Sequence, residues 1–293
     1  MRSLLRLLGH QHWLRFGVRD RIIRAFHNPD ESRPEVFNVP FYGKIYAGDF
    51  STFLDWSVYY YGAYCGEELS IMKDLLRDVR DPIILDIGAN IGHHSLFAST
   101  IAKEVHSFEP YPLVLEKLYQ KIEINSIDNI IIHEVGLGER EDELPYFPPT
   151  DSNTGTGTFM GNAEINKNSL KLPIQIGDDY LSNLHLEKLD YVKMDIEGYE
   201  PSALRGLRKS LELYRPIVFF EWSAEGRKDY TNMCDLFPKD YTIFNFISPH
   251  AKLGVFSNLS YSLTKGNVVN TNGNKVAIPI DKLYLASSKI RKN

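Results

Sequence analysis

The spacing of hydrophobic residues changes near residue 80 of this chain. From Pro82 onward, short apolar runs alternate with segments in which apolar residues recur at helical spacing. This alternation is typical of a parallel sheet with helices on its faces. The five predicted parallel strands are Ile83–Asp86, Glu104–Phe108, Ile130–Val135, Tyr191–Met194 and Ile217–Phe220. The predicted helices are Gly92–Ile101, Leu113–Asn125, Asp178–Leu184 and Glu200–Leu213.

Two more strands are predicted after the last of these units, at Tyr241–Phe246 and Lys282–Ser287. A late strand pair that follows alternating βα units adds one antiparallel strand to an otherwise parallel sheet. The sequence therefore predicts an α/β fold built on a seven-stranded, doubly wound sheet with one antiparallel strand.

Residues 1–80 have a different pattern, which predicts an N-terminal extension of helices and a hairpin. Phe37–Tyr46 alternates like a strand pair, and Glu67–Val79 has helical spacing. We therefore predict two parts, an extension over residues 1–80 and a ligand-binding domain over residues 81–293.

Two long polar stretches, residues 148–172 and 248–279, interrupt the second part and are predicted to be loop insertions. Loops of this length are unusual in a compact domain and are often lids or binding loops. Each follows a predicted strand whose carboxyl end lies at the edge where α/β proteins bind ligands. We expect both loops to contribute to recognition of a substrate.

The first 26 residues are basic and amphipathic. Apolar residues fall near helical spacing at Leu5, Leu8, Phe16, Ile23 and Phe26. Arginines interrupt the apolar core that a signal peptide needs, and no run approaches the roughly 18 apolar residues of a membrane span. We favour a helix packed on the body of the protein; the alternative is peripheral contact with an anionic membrane. The expected location is cytoplasmic, with the alternative placing the protein at the inner face of a membrane.

The overall charge argues against one class of partner. The chain has 33 basic and 38 acidic side chains, a net charge of −5, which disfavours a protein that coats nucleic acid. The two cysteines, Cys65 and Cys234, form neither a disulfide framework nor a CxxC pair, so a reducing compartment is expected. No feature of the sequence indicates an oligomeric state.

The clearest chemical motif is Asp86-Ile-Gly-Ala-Asn-Ile-Gly92, between a predicted strand and a predicted helix. Gly88 and Gly92 allow a tight turn and a close approach of ligand to backbone. An ordinary strand–helix turn would have the same glycines. The next strand, however, ends in Phe108-Glu109-Pro110, and a carboxylate there can accept hydrogen bonds from both hydroxyls of a ribose. The two features together predict a nucleoside cofactor.

The loop composition favours one nucleoside cofactor over another. A dinucleotide site prefers GxGxxG, whose second glycine makes room for a pyrophosphate, but that position is Asn90. Asp86 would repel a pyrophosphate and suits a ligand with a sulfonium and an ammonium group. The motif therefore favours S-adenosylmethionine over NAD, with Ala89 also lining the cofactor.

A third cluster, Lys193-Met-Asp-Ile-Glu-Gly-Tyr-Glu200, follows the fourth predicted strand. Lys193 and Asp195 share one face of the strand, and Asp195 should project at the carboxyl edge near the cofactor. Acidic residues are favourable at the amino terminus of a helix. This structural role accounts for Glu200 fully and for Glu197 in part, but it accounts poorly for Asp195. Glu221, at the end of the fifth strand, is either an acceptor ligand or a polar strand end.

Histidines add one more set of candidates. His93 and His94 open the helix after the glycine loop, and one of them could face the substrate as a base. The remaining candidates, His106, His133 and His185, occur singly and lack the spacing of a zinc site.

These motifs together resemble the FkbM family of methyltransferases. The resemblance covers roughly Tyr60 to Trp222 and rests on the glycine loop, Phe108-Glu-Pro110, Asn125, the Lys193–Gly198 cluster and Pro216–Glu221. It implies a class I methyltransferase (Rossmann-like) fold, with Gly88, Asn90, Gly92 and Glu109 around the cofactor. It also implies O-methylation of a hydroxyl on a sugar, glycan or polyketide-like acceptor. Gly136-Leu-Gly138 lacks the acid that many class I enzymes place near the adenine.

We thus predict in-line methyl transfer from S-adenosylmethionine to a hydroxyl of a small-molecule or glycan acceptor. Asp195 is the first candidate for the general base and also a cofactor contact, and His94 and Glu197 are the reserves. Lys193 and Glu221 are predicted acceptor ligands. The sequence leaves open whether a divalent metal ion, held by Asp195 and neighbouring acids, takes part.

Two other function classes fit parts of the sequence. A nicotinamide-dependent oxidoreductase would also carry a glycine loop and a ribose acid, but Asn90 and the late antiparallel strand disfavour it. A scaffold that binds the cofactor without catalysis would need neither Asp195 nor Glu197 at the sheet edge, and these acids argue against it.

Overall fold

A single large sheet lies at the centre of this chain, for which a computed structural model describes residues 1–146, 170–223, 233–248, 261–266, 268 and 271–291. The strands are β1 Val36–Phe41, β2 Lys44–Asp49, β3 Ile83–Ile87, β4 Glu104–Phe108, β5 Ile130–His133, β6 Gly136–Gly138, β7 Asp142–Tyr146, β8 Leu170–Ile176, β9 Tyr191–Met194, β10 Ile217–Phe220, β11 Tyr241–Ile247, β12 Ser262–Thr264 and β13 Lys275–Pro279.

The helices flank this sheet and form the start of the chain. The α-helices are α1 Arg2–Gly9, α2 Phe16–Phe26, α3 Phe53–Tyr61, α4 Gly66–Leu76, α5 His93–Ala98, α6 Pro112–Ile124, α7 Gly177–Leu184, α8 Glu200–Gly206 and α9 Arg208–Tyr214. Short 3-10 helices cover Pro29–Glu31, Met233–Leu236 and Ile280–Ala286.

The large sheet has the strand order β12-β11-β13-β10-β9-β3-β4-β5. Strands β5, β4, β3, β9 and β10 pair in parallel, and β13 is antiparallel to both of its neighbours. Without β12, this is the predicted doubly wound sheet of seven strands with one antiparallel member, and the fold class is confirmed. The short β12 adds an eighth strand at the edge, antiparallel to β11.

The alternation of residues along the strands explains why helices cover both faces. In β10, Ile217 and Phe219 belong to one hydrophobic cluster, whereas Val218 and Phe220 belong to another on the opposite face. A strand with apolar residues at every position must be covered on both sides. Helices α4 and α5 contribute to the first cluster, and α7, α8 and α9 contribute to the second.

The prediction for the last strand was wrong. The antiparallel strand is β13, which lies inside the stretch predicted as a loop over residues 248–279. The short strand β12 lies in the same stretch, before β13. The predicted strand Lys282–Ser287 falls almost entirely within a 3-10 helix. The apolar core of β13 is only three residues long, Val276 to Ile278, and it follows a polar run, so its spacing carries little signal. Pairing with β10 and β11 is what defines it.

Two other differences arise around the site. The predicted helix Glu200–Leu213 is divided into α8 and α9 at Leu207. In addition, β6, β7 and β8 form a separate three-stranded sheet that the sequence did not predict. Residues 147–169, which include most of the first predicted loop, and residues 249–260 of the second lie outside the described residues. Their role in substrate recognition therefore stays a prediction.

The N-terminal segment packs on the sheet domain. Val39 and Phe41 of the hairpin β1–β2 share a hydrophobic cluster with Leu96 and Phe97 of α5. Leu5 of α1 and Ile23 of α2 pack on buried aromatic residues of α3. The buried aromatic residues of α3 therefore form the surface on which α1 and α2 pack. The division of the chain at residue 80 stays a prediction.

A buried histidine pair connects β4 to β5. His106 Nδ1 and His133 Nε2 are 2.9 Å apart, the rings are stacked, and both side chains are buried. His133 Nδ1 lies 3.1 Å from the Tyr180 hydroxyl. Burial lowers the pKa of both imidazoles. For His133, burial and the neighbouring His106 together lower the pKa to about 4. The folded protein therefore holds the pair neutral, whereas the unfolded chain takes up protons near pH 6.5.

This pair predicts a loss of stability in acid. Its contribution to the free energy of unfolding should be complete above about pH 6.5 and should fall as the pH drops towards about 4. Replacing His133 with glutamine should reduce the loss between these pH values by about 1–2 kcal/mol. Urea unfolding at several pH values measures this effect. Replacing the exposed His185 with asparagine serves as the control, and an identical pH profile for wild type and His133→Gln would contradict the assignment.

Candidate active site

Acidic residues from four neighbouring strands meet at the carboxyl edge of the sheet. Strands β4, β3, β9 and β10 are adjacent and parallel, so the residues that follow them emerge on the same side. The backbone N–H of Asp195 donates to Ile87 O at 3.1 Å, and that of Glu221 donates to Met194 O at 3.1 Å. The register of the sheet thus brings together acids that are far apart in the sequence.

The glycine loop is shaped by close contacts within the protein. Gly88 has φ +77°, and a Cβ there would lie 2.1 Å from Asp195 O. Gly92 has φ +83°, and a Cβ there would lie 2.3 Å from a methyl carbon of Leu118. Both positions require glycine, because the end of β9 and helix α6 press against the loop. The loop is therefore fixed in place before any ligand arrives.

Glu109 joins the tip of β4 to the glycine loop. Its Oε2 accepts the backbone N–H of Asn90 at 2.8 Å, and its Oε1 accepts that of Tyr111 at 2.9 Å. The residue is buried, with 8% of its surface exposed. Burial raises the pKa of Glu109 to about 7, and the two N–H bonds oppose that shift. The structure thus places a fixed carboxylate beside the loop, as the sequence predicts.

A buried ion pair between Lys193 and Asp86 contacts the backbone of the glycine loop. Lys193 Nζ donates to Gly88 O at 3.0 Å and lies 3.4 Å from Asp86 Oδ1. Asp86 Oδ2 accepts the Ser95 hydroxyl at 2.6 Å. Burial lowers the pKa of Lys193, but the carboxylates of Asp86 and Asp195 outweigh burial and raise it. Lys193 is therefore a charged ammonium.

The burial of this pair bears on two predicted roles. Lys193 is 3% exposed and Asp86 is fully buried, and each faces the other instead of open space. This placement favours an internal supporting role for Lys193 over the predicted contact with an acceptor. It also favours an internal counter-ion role for Asp86 over direct contact with a sulfonium.

Three acids form a cluster beside the ion pair. Asp195, Glu200 and Glu221 each offer one ligand oxygen, and these oxygens lie within 4.8 Å of one another. The Asp195 side chain is 45% exposed, and its Oδ2 lies 4.0 Å from Lys193 Nζ. Carboxylate oxygens are the ligands that hard divalent cations prefer. Among the described residues, this is where a metal ion could be held.

Glu200 holds the backbone turn that presents Asp195. Its carboxylate accepts the backbone N–H of Ile196 at 2.8 Å and that of Gly198 at 2.9 Å. Burial raises its pKa to about 8. Glu197, between these two donors, has φ +53°, a left-handed conformation that is uncommon for this residue type. The capping carboxylate therefore stabilises a strained turn at the start of α8.

The two adjacent histidines have different environments. His93 Nε2 accepts the backbone N–H of Tyr64, and burial lowers the pKa of its ring well below the usual value, so it is neutral. His94 Nε2 lies 3.1 Å from Glu68 Oε2, whose other oxygen accepts the side-chain N–H of Asn274 at 2.6 Å. A carboxylate that orients an imidazole is typical of histidines in proton transfer. Neither Glu68 nor Asn274 was predicted from the sequence, since one comes from α4 and the other from the residue before β13.

Two tyrosines near Glu109 were also missed. The rings of Tyr111 and Tyr146 lie 4.6 Å apart between centroids, and Tyr146 ends β7. Burial raises the pKa of Tyr146, and the nearby Glu109 raises it further. This aromatic pair, close to the Glu109 carboxylate, offers an apolar surface on which a planar ring could pack.

Comparison with known proteins agrees with this geometry. The profile of the Methyltransferase FkbM domain family matches residues 86–242, more than half of the chain. The hexuronic acid methyltransferase AglP of Haloferax volcanii is 25% identical over 167 residues, which cover 57% of this chain and 67% of that protein. The 2-O-methyltransferase NoeI of Sinorhizobium fredii is 26% identical over 185 residues, which cover 57% of this chain and 75% of that protein.

Solved structures of methyltransferases are also similar. The structure of methyltransferase FkbM from Methylobacillus flagellatus KT matches with a TM-score of 0.42 and 20% identity; the match covers 67% of this chain and 43% of that one. The SAM-dependent methyltransferase from Agrobacterium tumefaciens matches with a TM-score of 0.47 and 10% identity, over 86% of this chain and 72% of that one.

Proposed function

The chain belongs to the FkbM family of methyltransferases, and from this premise we propose that it transfers a methyl group from S-adenosylmethionine to a hydroxyl of a carbohydrate acceptor. The observation that carries the proposal is the fixed Glu109 carboxylate beside the glycine loop at the carboxyl edge of the sheet. The reaction breaks the S–CH₃ bond of the cofactor and the O–H bond of the acceptor, forms an O–CH₃ bond, and releases S-adenosylhomocysteine and a proton.

The residues at the sheet edge fit such a cofactor. Glu109 is held by the N–H groups of Asn90 and Tyr111, and its remaining lone pairs can accept the two hydroxyls of a ribose. Tyr111 and Tyr146 offer the apolar surface next to it. When bound, S-adenosylmethionine supplies an electrophilic methyl group on a sulfonium. Asp86, Gly88, Ala89, Asn90 and Gly92 define the loop that fixes its position.

Asp195 is the residue that we assign to the acceptor proton. Its carboxylate is exposed at the carboxyl edge, next to Glu200 and Glu221. Lys193 Nζ lies 4.0 Å from Asp195 Oδ2, and this contact helps to orient the carboxylate at the sheet edge. Glu221 and Glu197 are assigned to hydrogen bonds with acceptor hydroxyls. His94, oriented by Glu68, is the reserve base.

A carbohydrate acceptor is supported by the names of two relatives. One is a hexuronic acid methyltransferase and the other a 2-O-methyltransferase. Acidic side chains at a ligand edge are also suited to sugars, because each carboxylate accepts hydrogen bonds from hydroxyl groups. A nicotinamide-dependent oxidoreductase and a scaffold without catalysis remain the rival functions for the test below.

The test combines binding with product analysis. Calorimetric titration should give binding of S-adenosylmethionine and S-adenosylhomocysteine and none of NADH. With methyl-labelled cofactor and glycosides of glucose and glucuronic acid, label should appear on a hydroxyl oxygen of the sugar. Binding of NADH in place of S-adenosylmethionine would contradict the proposal, and so would a product methylated on nitrogen or carbon. Binding without transfer to any of these glycosides would favour the scaffold.

The same assay decides whether a metal ion takes part. It is repeated after treatment with a chelator and again after addition of magnesium. Full activity with chelator supports Asp195 as the base. Activity that the chelator abolishes and magnesium restores would assign Asp195, Glu200 and Glu221 to a metal site instead.

A further inference from the structure

The first two helices expose large apolar side chains to solvent. On α1, Leu4 is 71% exposed and Leu7 is 62% exposed, one helical turn apart. On α2, Ile22 is 39% exposed and Phe26 is 60% exposed, again one turn apart. Trp13, in the connection between the helices, is 55% exposed. With Met1 and Phe16, residues 1–26 contain seven exposed large apolar residues. Single exposed apolar residues are ordinary, but this concentration is not.

These residues lie beside the parts of each helix that are already packed. Leu5 of α1 and Ile23 of α2 are buried in one cluster with Trp56 and Tyr60 of α3. Leu4, Leu7, Ile22 and Phe26 lie outside that buried cluster. Both helices therefore have an inner surface that packs on the protein and an outer apolar surface that none of the described residues buries. Among the helices of the described residues, none has the length and apolar character needed to cross a membrane.

The charge of this segment is opposite to that of the rest of the chain. Residues 1–26 contain six arginines and one aspartate, a net charge of +5. Since the whole chain carries −5, the other 267 residues carry −10. Arg21 lies exposed on α2 next to Ile22. The positive charge of this segment is complementary to a negatively charged surface, and its exposed apolar face is complementary to an apolar layer just below such a surface.

From this arrangement we propose that α1, α2 and the connection between them dock the protein on an anionic lipid bilayer. Leu4, Leu7, Trp13, Ile22 and Phe26 enter the interface between headgroups and acyl chains, while the exposed Arg21 approaches the anionic headgroups. A second copy of the chain is a poorer occupant, because a symmetric contact would bring two segments of like charge together. The proposal does not depend on the identity of the acceptor.

Tryptophan fluorescence can report directly whether this segment binds vesicles. Of the three tryptophans, Trp56 and Trp222 are buried and Trp13 is exposed, so vesicles can change only the emission of Trp13. Vesicles of phosphatidylcholine mixed with phosphatidylglycerol should shift the emission to shorter wavelength and carry the full-length protein upward in flotation. Vesicles of phosphatidylcholine alone should bind much more weakly, and added salt should weaken binding to the anionic vesicles.

Two variants and a matched control make the test specific. Leu4→Glu with Leu7→Glu should reduce partitioning onto anionic vesicles by about tenfold or more. Arg21→Glu should reduce it by roughly fivefold or more, since it removes one positive charge and adds a negative one. The control, Leu213→Glu with Ile280→Glu, changes residues that are 72% and 57% exposed on other elements, and should bind vesicles like wild type.

Several outcomes would overturn the proposal. One is equal binding to neutral and anionic vesicles, and another is equal loss in the control variant. Vesicle binding that survives both the leucine and the arginine variants would also overturn it. If light scattering shows a dimer that Leu4→Glu with Leu7→Glu converts to a monomer, the face contacts a second copy instead. Unchanged thermal unfolding and S-adenosylmethionine affinity in each variant separate docking from folding and from catalysis.

Discussion

Replacing Asp195 with asparagine should lower the rate of methyl transfer by about 10²–10⁴-fold while changing the affinity for S-adenosylmethionine much less. An asparagine of the same shape keeps the backbone hydrogen bond to Ile87 but cannot take the acceptor proton. The exposed position at the carboxyl edge also means that the substitution leaves little buried charge unpaired, so folding should be preserved. Single-turnover rates and calorimetric titration on the same samples separate the two effects.

The chain provides a control for this variant on the same strand. Asp190 lies at the opposite end of β9, where it accepts the backbone N–H of Ile83 at 3.0 Å. Asp190→Asn should lose some stability and keep its rate. If Asp195→Asn weakens cofactor binding as much as it slows transfer, Asp195 is a cofactor ligand and not a base. If its rate is normal, His94 is the next candidate, and His94→Gln should then show the large loss.

Removing the carboxylate of Glu109 should weaken S-adenosylmethionine binding by about 1.5–3 kcal/mol, which is roughly ten- to more than a hundredfold. The reason is the loss of charge-assisted hydrogen bonds to the ribose. Glu109→Ala also leaves the N–H groups of Asn90 and Tyr111 without their acceptor, at a cost of about 1–3 kcal/mol in stability. A domain of ordinary stability remains folded after such a loss. Calorimetry gives the affinity, and thermal unfolding gives the stability.

A second carboxylate separates these two effects. Asp178 also accepts two backbone N–H groups, those of Lys209 and Ser210, at 2.8 and 2.7 Å. Asp178→Ala should therefore lose similar stability without any loss of affinity. Equal affinity loss in both variants would mean that Glu109 acts only through the fold.

The pKa of Glu109 predicts that the affinity for S-adenosylmethionine depends on pH. Because burial raises this pKa to about 7, the carboxyl is mostly neutral below that pH and ionised above it. Affinity for S-adenosylmethionine should therefore rise as the pH increases from about 6 to 8, since the ionised group accepts both ribose hydroxyls. In Glu109→Ala this rise should disappear.

The sequence by itself determined the central parallel strands and the glycine loop. The strands β3, β4, β9 and β10 were predicted within about one residue, because runs such as Ile217–Phe220 leave no polar position for solvent. The glycine loop and Glu109 were also predicted, since a strand, a tight turn and a helix form over adjacent residues. Local spacing is sufficient where the structure is made from neighbours in the chain.

Only the tertiary structure decided the surroundings of the site. Lys193 was predicted from the sequence to be an acceptor ligand, but the register between β3 and β9 buries it against Asp86. Glu68 reaches His94 from α4, and Asn274 reaches Glu68 from the start of β13. The strand β13 itself has three apolar residues and exists because β10 and β11 offer it two ladders of hydrogen bonds. Burial, charge pairing and strand pairing depend on residues that meet only after folding, and no spacing along the chain records them.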